Sequence, residues 1–137
     1  MNIVIIDGQG GSLGLALAKE ALRQFPGASI TAVGTNSAAS ANMLKAGGGI
    51  KAAAGENAVI VACRKADIIF GPIGIIVADA LVGEVSPAMA CAVGASEAVK
   101  ILIPMEKCAT LIAGIEGQTL SSLIADAMKK AHEVDVR

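Results

Sequence analysis

The sequence predicts a doubly wound α/β sandwich on a mainly parallel sheet of five or six strands. Three observations carry this. Short β-branched runs alternate with Ala- and Leu-rich amphipathic stretches, the rhythm of βαβ units. The first run, NIVIID over Asn2–Asp7, stays apolar until its closing carboxylate, as a strand covered on both faces requires. The last stretch, Leu120–His132, sets Leu120, Leu123, Ile124, Ala127, Met128 and Ala131 at helical spacing.

The other elements follow in order. Ser12–Phe25 reads as a helix with Gly14, Ala18, Ala21, Leu22 and Phe25 on one face, ended by Pro26 and Gly27. Ser29–Val33 is a second strand. Ala38–Ala46 is a second helix, stopped by Gly47, Gly48 and Gly49. Ile50–Ala54 is an alanine-rich third strand. Glu56–Lys65 is a helix whose acidic first turn and basic last turn suit the helix dipole. Asp67–Phe70 (DIIF) is a short buried strand. The nearly continuous apolar run Pro72–Leu81 is ambiguous between helix and strand; Pro72 in its first turn and Gly83 just past its end favour a helix. Ser86 and Pro87 open the next helix as N-cap and first helical residue. Lys100–Ile103 and Thr110–Ile115 are expected as further strands. Nothing reads as a linker or repeat, so residues 1–137 are expected to be one domain.

Composition excludes several classes. Hydrophobic residues make up 54% and charged residues 17%, against about 25% charged in an average domain, which rules out disorder. The net charge of −1 gives no field for nucleic acid or anionic lipid. Trp and Tyr are absent, and Phe25 and Phe70 offer no stacking platform for bases. Cys63, Cys91 and Cys108 are odd in number and form no CxxC pair, so they are expected as buried small hydrophobes in a reducing compartment. His132, near the carboxyl end, is expected at a fraying helix terminus, and no metal cluster can be assembled. MNIVIID is not a signal peptide, and the apolar stretch Ile68–Leu81 is too short and broken to span a bilayer. A cytoplasmic protein follows, with no membrane partner. So little charge also predicts a homo-oligomer.

The turn Asp7-Gly8-Gln9-Gly10-Gly11-Ser12 between the first strand and helix is the most informative segment. Glycines there let the backbone approach a ligand, and the free amides of a helix start stabilise a phosphate. Ser12 adds a hydroxyl. The glycines fall at positions 1, 3, 4 and 7, one step off the dinucleotide fingerprint. The same glycines also serve a plain tight turn. Asp7 would accept a ligand hydroxyl or amine, reach a phosphate through Mg²⁺, or cap amides of its own turn. The binding inference fails if Gln9 or a returning segment fills the hollow.

Ligands of open α/β sheets lie beyond the carboxyl ends of the strands. The second strand ends in Gly34-Thr35-Asn36-Ser37, where an NAD site would offer a ribose-binding acid. Thr35, Asn36 and Ser37 suit a sugar, a 2′-phosphate or a helix N-cap. The fourth strand ends in Gly71-Pro72-Ile73-Gly74, so Gly71, Pro72 and Gly74 leave room for a ligand. Glu56 is expected to offset a helix dipole, and Glu84 and Glu116 to lie in solvent. Cys91 is expected in the core. No nucleophile–base set emerges, so no catalytic residue is assigned.

With Asp-Gly-Gln-Gly-Gly at 7–11, Gly-Thr-Asn-Ser at 34–37, Gly-Glu-Asn-Ala at 55–58, Gly-Pro-Ile-Gly at 71–74 and Ile-Leu-Ile-Pro at 101–104, the chain resembles a family of short bacterial proteins known only as a domain of unknown function. The resemblance covers nearly the whole length and implies a Rossmann-like fold without an assigned activity. The strand–turn–helix at 2–25 is more remotely similar to the NAD(P)-binding Rossmann superfamily. The glycine turn and the strand ends predict a protein that binds a nucleotide or dinucleotide, NADP before NAD, with phosphate held by Gly8, Gly10, Gly11 and Ser12 and ribose or its phosphate by Thr35, Asn36 and Ser37. The alternatives are a non-catalytic sensor of a small phosphorylated metabolite and a structural subunit without a ligand.

Overall fold

The structure is a computed structural model and describes residues 1–105 and 109–135. Five parallel strands form one sheet in the order β3-β2-β1-β4-β5. They are β1 (Asn2–Asp7), β2 (Ser29–Gly34), β3 (Lys51–Ala54), β4 (Ile68–Pro72) and β5 (Val99–Ile103). The helices are α1 (Ser12–Gln24), α2 (Ser37–Leu44), α3 (Glu56–Lys65), α4 (Pro87–Ala95) and α5 (Leu120–His132). The architecture is the predicted Rossmann-like three-layer sandwich.

Strand periodicity divides the core. Ile3 and Ile5 of β1 point to one face, where they meet Leu17 and Ala21 of α1, Met43 of α2 and Met128 of α5. Val4 and Ile6 point to the other, against Val59 and Cys63 of α3 and Met89 and Val93 of α4. Both faces of β1 and β4 are therefore dry, as their unbroken apolar sequences require.

Two predicted elements differ. Pro72 completes β4, and only Ile73–Ile76 coil, as one short 3-10 helix. Beyond it the backbone loops tightly, with Asp79 NH on Val85 O (2.7 Å) and Val85 NH on Ala80 O (3.1 Å). The apolar residues of this run serve separate contacts: Ile75 and Ala80 are buried while Ile76 is exposed. A regular α-helix cannot form there, because Asp79, Leu81, Val82 and Gly83 all have positive φ. Thr110–Ile115 is not a strand either. Gly114 turns at φ 85°, Leu111 is 85% exposed, and the segment pairs with none of the five strands of the sheet.

Cys63 meets the expectation of a buried small hydrophobe, whereas Cys91 and His132 depart from theirs. Cys63 is buried, and desolvation pushes its thiol up to about 11, eased by the Lys100 charge. Cys91 is exposed, because Met89, Ala90 and Val93 form the buried side of α4. Cys108 lies outside the described residues. His132 stacks on Phe25 with ring centroids 4.3 Å apart and has Nε2 3.0 Å from Gln24 Oε1. Those contacts tie down the end of α5.

Register makes a direct test. Ile68 of β4 faces Val99 of the edge strand β5. Ile68 is fully buried and Val99 is 45% exposed. Ile68→Ala should cost about 2–5 kcal/mol and Val99→Ala under about 1 kcal/mol in denaturant unfolding. Equal losses would contradict the register.

Candidate functional site

Strand order reverses between β1 and β4, and the glycine turn lies at this switch point. Asp7 closes β1 and is 6% exposed. Its Oδ1 accepts from Gly8 NH (2.8 Å) and its Oδ2 from Gly14 NH in α1 (2.7 Å). Burial pushes its carboxyl above the usual aspartate range, while the Gly14 and Gly8 amides pull it back and the Glu84 charge adds to the rise. Of the roles open to Asp7, the structure displays the cap on its own turn.

The glycines divide by environment. Gly8 is buried, and a Cβ there would lie 2.6 Å from Leu81 Cδ1 and 2.7 Å from Thr35 Oγ1. Gly11 sits at φ 75° against Ala39, and its NH donates to Gly8 O (2.9 Å). Tight packing accounts for both. Gly10 faces open space. Its carbonyl accepts from Asn42 Nδ2 (2.9 Å), but its NH, and those of Ser12 and Leu13 at the start of α1, find no partner among the described residues. Ser12 itself is exposed.

The main correction is Glu84, expected in solvent. Its Oε1 accepts from Gln9 NH (3.0 Å), Thr35 Oγ1 (2.8 Å) and Asn36 Nδ2. Desolvation opposes its charge, but the hydrogen bonds from Gln9, Asn36 and Thr35 outweigh it and hold the carboxyl below the usual glutamate range. Asn36 also caps α2, accepting from Ala39 NH (2.8 Å), and donates to Gln9 O (3.0 Å). Thr35 and Asn36 thus meet the glycine turn through Glu84, while Ser37 starts α2 and is exposed.

Leu81, from the same returning loop, also lies 3.9 Å from a Cβ position at Gly74. It spans the crevice between the β1 and β4 turns. A Cβ at Gly71 would meet Ile75 Cδ1 at 2.8 Å and the Ile6 carbonyl, so this glycine serves close strand packing. Pro72, Gly74, Leu81 and Thr110 line a small residual cavity of about 20 Å³. A returning segment therefore fills the inner half of the hollow, and the outer half at Gly10, Ser12 and Leu13 stays open. No sequence motif marked Leu81 or Glu84. Their one signal was position, on the loop after β4 and just before the Ser86 cap.

The chain matches the family described as Domain of unknown function (DUF3842) over residues 2–135, and it belongs to that family. No curated protein matches the sequence. Its fold is similar to that of a dodecameric FMN-dependent UbiX-like decarboxylase from Escherichia coli O157:H7, at 17% identity and a TM-score of 0.51. The match covers 96% of this chain and 93% of that one. Among the described residues, no helix is long and apolar enough to cross a membrane, and no group of three or more His, Cys, Asp or Glu could hold a metal ion.

Two variants test the site's construction. Val82 has φ 59° and is 94% exposed, so the strained backbone is not offset by packing. Val82→Gly should stabilise the fold by about 1 kcal/mol in thermal or denaturant unfolding. For Glu84, the lowered folded value means the latch contributes above the unfolded value near 4.5 and is lost as pH falls through the folded value. The stability gap between wild type and Glu84→Gln should therefore shrink on acidification; a gap independent of pH would show that the latch does not depend on the charge.

Proposed function

We propose that the chain binds a phosphate-bearing mononucleotide at the outer half of the glycine turn. The observation that supports this best is the trio of amides at Gly10, Ser12 and Leu13, without a partner among the described residues, at the positive end of α1. Gly10 needs no glycine for packing or for positive φ, and its open side is where a ligand would approach. The Ser12 hydroxyl and the exposed Ser37 hydroxyl supply further contacts to phosphate and sugar.

Ligand size follows from the loop. An extended NADP or NAD would have to displace Leu81 from the crevice beyond Gly8, whereas a mononucleotide held at α1 would not. Glu84 at the end of β2 also repels a 2′-phosphate. The fold neighbour carries the description FMN-dependent, which agrees with a mononucleotide. A non-catalytic sensor of a smaller phosphorylated metabolite would use the same amides. We place the protein in the cytoplasm and read it as a homo-oligomer, the neighbour being described as dodecameric.

Calorimetric titration with FMN, AMP, NADPH and inorganic phosphate separates these readings. FMN or AMP should bind saturably and more tightly than NADPH. Gly10→Phe keeps the fold, having free space and ordinary φ, and should weaken binding by about tenfold or more by covering the amides. Glu84→Gln removes a nearby negative charge and should tighten binding several-fold. Phosphate binding alone would favour the metabolite sensor; silence from all four ligands would remove the proposal.

A further inference from the structure

Three donors from two separate turns converge on one oxygen, Glu84 Oε1. They are Gln9 NH from the turn after β1 (3.0 Å), and Thr35 Oγ1 (2.8 Å) and Asn36 Nδ2 from the turn after β2. Each is fixed without Glu84. The Thr35 backbone NH donates to Asp7 O (2.9 Å). Asn36 is held by its cap on Ala39 NH (2.8 Å) and by its bond to Gln9 O (3.0 Å). Gln9 has φ 50° and Gly11 has φ 75°, in a turn of the kind that gathers successive amides into a hollow for an anion. Glu84 comes from a different segment, the loop after β4, and is half-buried. Its second oxygen accepts none of the hydrogen bonds found among the described residues. The carboxylate is a guest in a hollow that the two turns build.

We propose that this hollow is a second anion pocket, held shut by Glu84 as a tethered competitor, and that it takes the second phosphate of a nucleoside diphosphate once the Glu84 side chain turns out to solvent. The proposal rests on the nucleotide reading for the first phosphate, at Gly10, Ser12 and Leu13. Gln9 and Gly10 are consecutive, so the two sets of amides meet at one peptide unit, with Cα atoms about 3.8 Å apart. Only neighbouring acidic groups of one ligand fit so short a span. That selects a diphosphate over two phosphates on opposite sides of a ribose.

The exchange asks little of the backbone. Ala80 and Val85 flank the loop tip and are buried, and Asp79 NH on Val85 O (2.7 Å) closes its base. Only the Glu84 side chain has to move, so Leu81 keeps its place over Gly8. A phosphate oxygen accepts charge-assisted bonds from amides and hydroxyls as a carboxylate oxygen does, so the same three donors serve either guest. A side chain attached to the rim of its own pocket competes at a high effective concentration. The wild-type site therefore takes one phosphate freely and a second only against Glu84. Glu84 thereby sets how many phosphates the site accepts.

The test is calorimetry of the full chain with AMP and ADP, with thermal melts to confirm folding. Wild type should bind ADP no more tightly than AMP. Glu84→Ala vacates the pocket and should favour ADP over AMP by about tenfold or more. Glu84→Ser vacates it in the same way should the Ala variant unfold. Glu84→Gln is also neutral, but its amide oxygen still fills the pocket, so its preference between ADP and AMP should stay within about threefold of wild type. In the Glu84→Ala background, Thr35→Val should raise the Kd for ADP several-fold. NMR reads the pocket itself: the Gln9 amide proton should move upfield in Glu84→Ala and return downfield with ADP but not with AMP. Equal gains in ADP preference for the Ala and Gln variants would show plain charge repulsion and overturn the proposal. AMP binding by wild type with no ADP preference in Glu84→Ala overturns it and leaves the nucleotide reading standing. Silence from both ligands in both proteins overturns the two together.

Discussion

The switch-point architecture depends on the carboxylate of Asp7. It sits in the dry end of β1 and takes one amide from the turn and one from the first turn of α1. Without those bonds the chain would bury a charge and leave two backbone donors unpaired, at about 1–3 kcal/mol for each group. With them, the turn holds one conformation and α1 starts at a fixed angle to the sheet. The price is a raised proton affinity at Asp7, because desolvation outweighs the two amides. A group whose folded value is raised stabilises the fold more as pH falls towards its ordinary range. Asp7 and Glu84 therefore respond to acid in opposite senses across one turn.

That turn has a limited supply of donors, and the chain itself takes most of them. Asp7 uses Gly8 and Gly14, Glu84 uses Gln9, and Gly11 closes on the Gly8 carbonyl. The loop after β4 brings Glu84 and Leu81 into the crevice through a backbone with several positive φ values. Strain of about 1–2 kcal/mol per non-glycine residue persists only when contacts elsewhere hold it. Here those contacts are the three donors on Glu84 and the packing of Leu81 over Gly8. An acidic group on an amide and an apolar body over the glycines occupy the inner crevice much as a ligand would.

The layer architecture was legible because periodicity reports burial. Continuous apolar runs gave β1 and β4, and the spacing of Leu120–His132 gave α5, which buries Ile124, Ala127, Met128 and Ala131. Local capping chemistry was equally readable: Ser86 accepts from Met89 NH at 3.1 Å and starts α4 one residue before Pro87. Two segments misled for one reason. Pro72–Leu81 and Thr110–Ile115 are apolar without being regular, and composition cannot reveal that successive residues point at different neighbours. Glu84 was illegible for another reason. Its partners lie 75, 49 and 48 positions away, and no local pattern encodes an encounter at that separation. The glycines were half legible: their clustering marked the turn, but only packing distinguishes Gly8 and Gly11, which serve the fold, from Gly10, which does not need to.

Electrostatics decide whether the remaining amides can hold an anion beside two carboxylates. Even at a separation as short as about 4 Å, an effective dielectric of about 80 to 20 limits the repulsion of a unit negative charge by one carboxylate to about 1–4 kcal/mol. A hydrogen bond to a charged group contributes about 1.5–3 kcal/mol, and the end of α1 adds its dipole. Three such bonds outweigh two such repulsions. The margin is modest, so the arrangement suits a ligand that draws further affinity from an apolar or hydrogen-bonding body. Bare phosphate, lacking that body, should be held weakly. The carboxylates act as a filter on charge, and Leu81 acts as a filter on length.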